Sequence, residues 1–287
     1  MKRLVPYLLL CMLVFSSRNA RCQEEDKYCG WTFGLNFGLY YPGKYTANYY
    51  NGSNSNENTA SYVFGNYYWY QEIYNALDAS DTVFIAANGL PANMHYKVSM
   101  NPGLFAEYRF NKDYALNAEF NYLKLKTSDA VSIEVDPKEY ATEADIRLYP
   151  IKGIEERVYF NLSLKRYFES QRKNVMYFAL GGININNTKV LKNFLYIGGK
   201  EYSIINVYGR QSYIPNSNMQ AYNVYEGGIG YGLVAGGGAS IEFGNGIILE
   251  PGITANWTKV NLEGYKRFTP GLGIYVRFIL NSLLLAE

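Results

Sequence analysis

The sequence predicts an all-β chain, a transmembrane antiparallel up-and-down β-barrel of eight strands with long extracellular loops. Three observations predict it. Runs that alternate apolar and polar residues, bounded by turn residues, recur at about eight places. Aromatic residues make up 17% of the 287 positions, 30 of them Tyr, a balance expected where amphipathic rings sit between oil and water. The connections between runs alternate short and long, as periplasmic turns alternate with extracellular loops in such barrels.

The N-terminus reads as a leader. Lys2 and Arg3 precede an apolar run from Leu4 to Phe15, followed by a polar stretch ending Ala20-Arg21-Cys22-Gln23, the three-part layout of a secretory signal. The run is short of the roughly 20 residues a membrane helix needs, and a buried N-terminal helix is disfavoured by the absence of caps. Cleavage is expected after Cys22, making 1–22 a signal peptide and 23–287 an outer-membrane barrel domain. Cys11 and Cys22 would leave with the leader, so Cys29 is expected to stand alone, without an internal disulfide. Lipid attachment at Cys22 competes, but Arg21 sits where that processing favours a small residue.

The first strand is WTFGLNFGLY, with Trp31, Phe33, Leu35, Phe37 and Leu39 on one face and Thr32, Gly34, Asn36 and Gly38 on the other. The second and third fold about Asn111-Lys112-Asp113, pairing Tyr108 with Leu116, Ala106 with Ala118 and Leu104 with Phe120. Both strands agree with one register, and a one-residue slip would invert every side chain. RVYFNLSLKRYF and NVMYFALGGININ make the next hairpin, turning through Glu169 to Asn174. Its second strand carries Phe178 and Leu180 on the face that should be polar. Strands six and seven fold about Gly244-Asn245-Gly246, a turn-favouring tripeptide, which sets Ile241 opposite Leu249, Ala239 opposite Pro251, Ala235 opposite Ala255 and Leu233 opposite Trp257. GLGIYVRF closes the set. Long connections are expected at about 41 to 96, 127 to 155 and 189 to 228, with both termini on the periplasmic side.

Two features of strands six and seven stand out. Gly236-Gly237-Gly238 spends a residue that weakens ordinary strands, which points to crowding on the inner face. Pro251 removes a ladder donor where a closed barrel has no edge to hide it, so a bulge or a water-satisfied gap is expected.

A soluble eight-stranded barrel would use the same alternation inside out. The mid-strand charges Glu107, Arg109, Glu119, Lys165, Glu242, Glu250 and Arg277 all fall on the polar face, which is otherwise mainly Gly, Ser, Thr and Asn. A water-facing surface would be roughly 25 to 35% charged and rich in Lys, whereas Lys or Arg on a lipid face at mid-depth costs about 2 to 4 kcal/mol. The apolar face therefore meets lipid. Trp31, Tyr40, Tyr114, Tyr122, Tyr231 and Trp257 are expected to supply the aromatic girdles. The inward charges are expected to pair and plug the lumen, since eight strands leave room only for side chains; a gated ion or proton conduit is the rival reading.

YFNLSLKRYF, NVMYFALGGININ, YGLVAGGGASIEF and the ending PGLGIYVRF resemble the PorT-like outer-membrane β-barrel proteins of Bacteroidetes, a branch of the opacity-protein-like barrels. The similarity covers Trp31 to Phe278. It implies outer-membrane localisation, a C-terminal aromatic recognised during insertion, usually no known enzyme activity and, in the family's namesake, an accessory role in type IX secretion. Residues Ile279 to Glu287 and a long first loop depart from the pattern.

No catalytic, cofactor-binding or metal-binding residues are assigned. A lipid-modifying outer-membrane enzyme is a further alternative and would rest on the single histidine, His95, with Ser99 nearby, but no nucleophile, base and orienter can be named together. Cys and His are too few for zinc-type ligation, and the triple glycine lacks the Lys-Ser/Thr of a phosphate loop. A net charge of +2 argues against nucleic acid. The expected partners are outer-membrane lipid and secretion or envelope proteins; any small-molecule ligand is unknown. The Asn-, Ser- and Tyr-rich first loop suits binding or is a solvated, variable surface. Within it, Asp81-Thr82-Val83 resembles the short O-glycosylation acceptor of Bacteroidetes.

Overall fold

A computed structural model describes residues 29–53, 59–136, 145–172, 174–204, 227–243 and 247–280. The leader, lipidation and Gly244-Asn245-Gly246 readings therefore fall outside the described residues. Eight strands form the barrel: β1 (Gly30–Tyr41), β2 (Gly103–Arg109), β3 (Tyr114–Val135), β4 (Asp145–Glu169), β5 (Val175–Ile197), β6 (Gly227–Glu242), β7 (Ile247–Lys259) and β8 (Phe268–Leu280). Each pairs antiparallel with the next, and β8 pairs back onto β1 from Phe33↔Leu280 to Tyr41↔Leu272. The ring is closed, so no barrel strand has a free edge.

The expected registers hold for two hairpins: Leu104↔Phe120, Ala106↔Ala118 and Tyr108↔Leu116 join β2 to β3, and Ile241↔Leu249, Ala235↔Ala255 and Leu233↔Trp257 join β6 to β7; between β4 and β5 the pairs include Leu162↔Ile183 and Phe160↔Ile185. Beside Pro251 the β6–β7 ladder stops at Leu249↔Ile241 and resumes at Gly252↔Gly238 without changing register. The missing donor produces a gap rather than a bulge, while the other side of Pro251 keeps its pairing with Val276.

The connections differ from expectation. The stretch from 127 to 155 is mostly strand, because β3 runs on to Val135 and β4 starts at Asp145, and β5 continues to Ile197. The reason is an exchange of chemistry between the two faces. Along β3 the inward side reads Asn117, Glu119 and Asn121, then Leu123 and Leu125, and finally Val131, Ile133 and Val135, all buried. The outward side reads Leu116, Phe120 and Tyr122, then Lys124, Lys126, Ser128, Ser132 and Glu134. The same crossover separates Val158 from Glu156 on β4 and Ile185 from Asn187 on β5. Below it the outside is apolar and the inside polar, as lipid requires; above it β3 has the polarity of a water-soluble sheet, while on β4 Ile146 and Leu148 still face outward. The crossover marks the outer boundary of the hydrocarbon.

Above that boundary the first connection is folded, not a solvated loop. It holds a 3-10 turn at Tyr45–Tyr50, helix α1 (Ala60–Gly65), helix α2 (Tyr67–Ala76) and a strand at Val83–Ile85 that pairs with β3. The Thr59 hydroxyl accepts from the Ser61 amide at 3.0 Å and starts α1. Asn66 Oδ1 accepts from the Tyr68 and Trp69 amides and starts α2. Val63, Ile73 and Leu77 pack onto Val131, Ile133, Val135, Ile151, Leu195 and Ile197 in one apolar core. We call this unit the cap.

Cys29 is disulfide-bonded in the full-length chain. The expectation that Cys29 stands alone concerns the chain without residues 1–22, and the bond in the full-length chain does not bear on it.

Candidate functional site: the sealed bore and the cap

The bore is filled at two levels. In the lower one, Lys165 Nζ on β4 lies 3.0 Å from Glu107 Oε2 on β2 and 2.7 Å from Glu250 Oε2 on β7. The Tyr167 hydroxyl donates to Glu107 Oε1 at 2.5 Å. Arg277 on β8 pairs with Glu119 on β3 at 3.0 Å and reaches Glu250 at 3.8 Å, its guanidinium stacked against the Phe105 and Tyr275 rings. Asn36 donates to Glu119 and to Asn121 Oδ1. These five charged side chains are at most 5% exposed, and each finds an opposite charge, as burial in a low-dielectric bore demands.

The other two inward charges of the sequence reading sit nearer the periplasmic rim. Arg109 is half-buried and lies over the Tyr167 ring at 4.0 Å. Glu242 is exposed near the end of β6 and does not join the cluster; the bore ends before the strand does.

Phe178 and Leu180, the residues that fit the polar face poorly, do point inward and are buried. They pair with Gly238 and Gly236. Lys165 Nζ sits 4.2 Å above the Phe178 ring, a cation–π contact. Across the next pair of strands, a Cβ on Gly252 would meet the Tyr275 hydroxyl at 2.6 Å. The glycines therefore give rings from neighbouring strands room to cross the bore.

The upper level was missed by sequence reading because Glu155 falls at the expected end of a loop, and Arg157, the first residue of the strand read after it, was not counted among the mid-strand charges. Arg157 pairs with Glu155 at 2.5 Å, both side chains at most 2% exposed. Tyr50, from the cap, donates to Glu155 Oε2 at 2.5 Å, while Arg157 donates to Thr46 Oγ1 and the Tyr96 hydroxyl. Tyr50 lies against Gly153, whose absent Cβ would stand 2.2 Å from the ring. Burial, and then the Glu155 carboxylate, holds the Tyr50 hydroxyl well above the usual tyrosine range. Tyr40 belongs here too: it is buried and meets Tyr159, hydroxyl to hydroxyl, at 3.2 Å. This corrects its assignment to a girdle; strand parity carries it inward along with Asn36. Trp31, Tyr122, Tyr231 and Trp257 do lie exposed on the outer surface. Between the two levels, Asn161, Asn184 and Asn186 form a neutral chain of amide hydrogen bonds.

His95 and Ser99 are not brought together. His95 is exposed, and the Ser99 hydroxyl is committed to the Met100 and Lys124 carbonyls at 3.0 Å each. Thr82, in the candidate glycosylation tripeptide, is exposed with its hydroxyl bonded to Asp136. Among the described residues no group of three or more His, Cys, Asp or Glu is placed to hold a metal ion. In the short strand Lys200–Ser203, which pairs with β5 and adds Tyr202 to the core beneath the cap, burial and then Glu72 push the Tyr202 hydroxyl up to about 12.

A closed barrel with an apolar belt outside and paired charges inside defines an integral β-barrel protein of the bacterial outer membrane. No protein-family model matches the chain, and no curated protein matches it in sequence. Solved structures similar in fold include the Neisserial surface protein A, at a TM-score of 0.40 and 10% identity over 88% of this chain and 99% of that one. Another is Ail, the attachment invasion locus protein of Yersinia pestis, crystallised with the heparin analogue sucrose octasulfate, at a TM-score of 0.33 and 10% identity over 87% and 96%. At such values the likeness concerns the course of the chain, and no role is carried over from it.

Proposed function

We propose that this protein is a non-enzymatic outer-membrane scaffold whose working part is the extracellular cap, a surface unit that binds a partner outside the cell. One observation carries this reading. The chain builds a second apolar core, from Val63 and Ile73 to Leu195 and Ile197, above the hydrocarbon boundary, whereas the bore beneath it is filled with buried charges that each lie beside an opposite one. A barrel serving only as a conduit has no use for such a core, and the cap closes its mouth through Tyr50. The cap also presents Tyr67 and Tyr68 to solvent at 70% and 51% exposure, rigid aromatic area of the kind binding surfaces use.

A second reading, the accessory role in secretion or envelope function that the PorT-like resemblance implies, is favoured by the periplasmic mouth. Arg109, Lys112, Asp113, Glu169 and Arg172 surround a concavity of about 230 Å³ there, a charged surface suited to a periplasmic protein. Photo-crosslinkers placed at Tyr68 and at Lys112 in native outer membranes separate the two. A specific product from Tyr68 alone supports the cap; one from Lys112 alone replaces it with the accessory reading.

A further inference from the structure

The hydrocarbon boundary passes through a groove of about 350 Å³ between β3 and the segment leading into β2. The backbone holds three lysines at its upper side. The Lys97 amide donates to the Lys126 carbonyl at 2.8 Å, and Ser99 Oγ donates to the Lys124 carbonyl, so Lys97, Lys124 and Lys126 are tied to adjacent backbone positions. All three are exposed and, among the described residues, none has an ion-pair partner. Glu156, cross-strand from Lys124, instead accepts from the Tyr122 hydroxyl at 2.6 Å. Immediately below, Met100 at 77% and Leu104 at 57% exposure continue onto the lipid face.

Three cations above an apolar strip, at the depth where headgroups lie, complement one ligand chemistry. We propose that this groove is a binding site for a phosphate-bearing lipid of the outer leaflet, with its phosphates among Lys97, Lys124 and Lys126 and an acyl chain along Met100 and Leu104. Each lysine adds attraction to an anionic headgroup, and the phosphate is a stronger partner than water for an ammonium held near lipid.

The test uses the full barrel in a neutral detergent, titrated with a glucosamine-disaccharide lipid carrying two phosphates and read by native mass spectrometry. Phosphatidylcholine and inorganic phosphate serve as comparison probes. The triple variant Lys97→Gln/Lys124→Gln/Lys126→Gln is set against Lys152→Gln/Lys192→Gln/Lys200→Gln, which removes equal charge elsewhere; Lys192 and Lys200 already pair with Glu201 and Glu72. The first variant is expected to weaken binding of the phosphorylated lipid about tenfold or more, the second by less than about twofold. Equal loss in both variants, no loss in the first, or equal uptake of phosphatidylcholine would overturn the proposal. Displacement of the lipid by millimolar inorganic phosphate would overturn its lipid part. The compact unboiled gel band confirms folding; if the triple variant lacks it, Lys126→Gln alone carries the same comparison, with the same signs.

Discussion

The ring of Phe178 stands where a side chain on Gly238 would have to go: the two residues are paired across β5 and β6, and an added Cβ would lie 2.8 Å from Phe178 Cζ and 2.2 Å from the Pro251 carbonyl oxygen. Because one obstacle is backbone, the neighbours cannot simply swing aside. Gly238→Ala is expected to lower barrel stability by about 1 to 3 kcal/mol, as overpacking does. Gly181→Ala, where an added Cβ meets nothing within 4 Å, should be close to neutral. Urea unfolding from lipid vesicles compares them, and equal midpoints for the two variants would refute the crowding explanation of the triple glycine.

Lys165 holds two carboxylates, Glu107 and Glu250, at once. Lys165→Met strands both in the bore and should cost on the order of 3 to 5 kcal/mol, since an uncompensated buried charge is worse than no pair at all. Adding Glu107→Gln and Glu250→Gln should restore most of the loss. The same unfolding measurement decides it: a lone Lys165→Met variant as stable as the parent would mean the cluster is solvated rather than sealed.

The level at which the outer face changes character can be located directly. Nitroxide labels at Phe120 and Lys126, both pointing outward on β3, should report opposite surroundings. The first is expected to be relaxed by dissolved oxygen and the second by a water-soluble nickel chelate. If both labels respond to the chelate alone, the apolar belt does not meet lipid and the barrel is inside out.

The cap is pinned by Tyr50 against Gly153 and Glu155. Gly153→Ala should push the ring out and make residues 45–98 sensitive to protease while the barrel stays folded. The same contact has a pH signature. A phenol whose ionisation is raised in the folded state contributes stability that is intact below the free tyrosine value near pH 10 and is lost as pH climbs beyond it. Limited proteolysis should therefore begin to cut the cap in wild-type protein only above about pH 10. A Tyr50→Phe variant, which cannot ionise, should shift that onset upward, and an onset unchanged by the substitution would remove Tyr50 from the account.

Much of the barrel was legible because parity is a strict constraint. Leu104 opposite Phe120 and Leu233 opposite Trp257 follow from counting outward from a turn, and the structure keeps both pairs. Glu107, Glu119, Lys165, Glu250 and Arg277 were assigned to the bore for the same reason, although which carboxylate meets which cation depends on strands far apart in the chain. Glu155 and Arg157 escaped because the template of apolar-out, polar-in alternation fails above the boundary. There Lys124, Lys126 and Glu156 face outward, and the pattern reads as loop. Helices α1 and α2 escaped for a related reason: their Asn- and Tyr-rich sequence resembles a binding loop, and only contact with Val131, Ile133 and Leu195 shows which side of each is apolar.

Since membrane and aqueous portions of β3 belong to one continuous strand, a change of length in it shifts the facing of whatever lies beyond unless a bulge absorbs it. Inserting a single residue near Tyr122 would turn everything beyond it to the wrong side, unseating the helices packed there even though the lipid-embedded half is untouched. Inserting a pair would merely raise the whole upper storey by one repeat of the pleat. β5 shows the one way round this: opposite Ile154 and Glu155 it carries an extra residue, and its buried side passes from Thr188 and Val190 to Asn193 and Leu195, so an odd change in this outer platform has to be matched by a bulge.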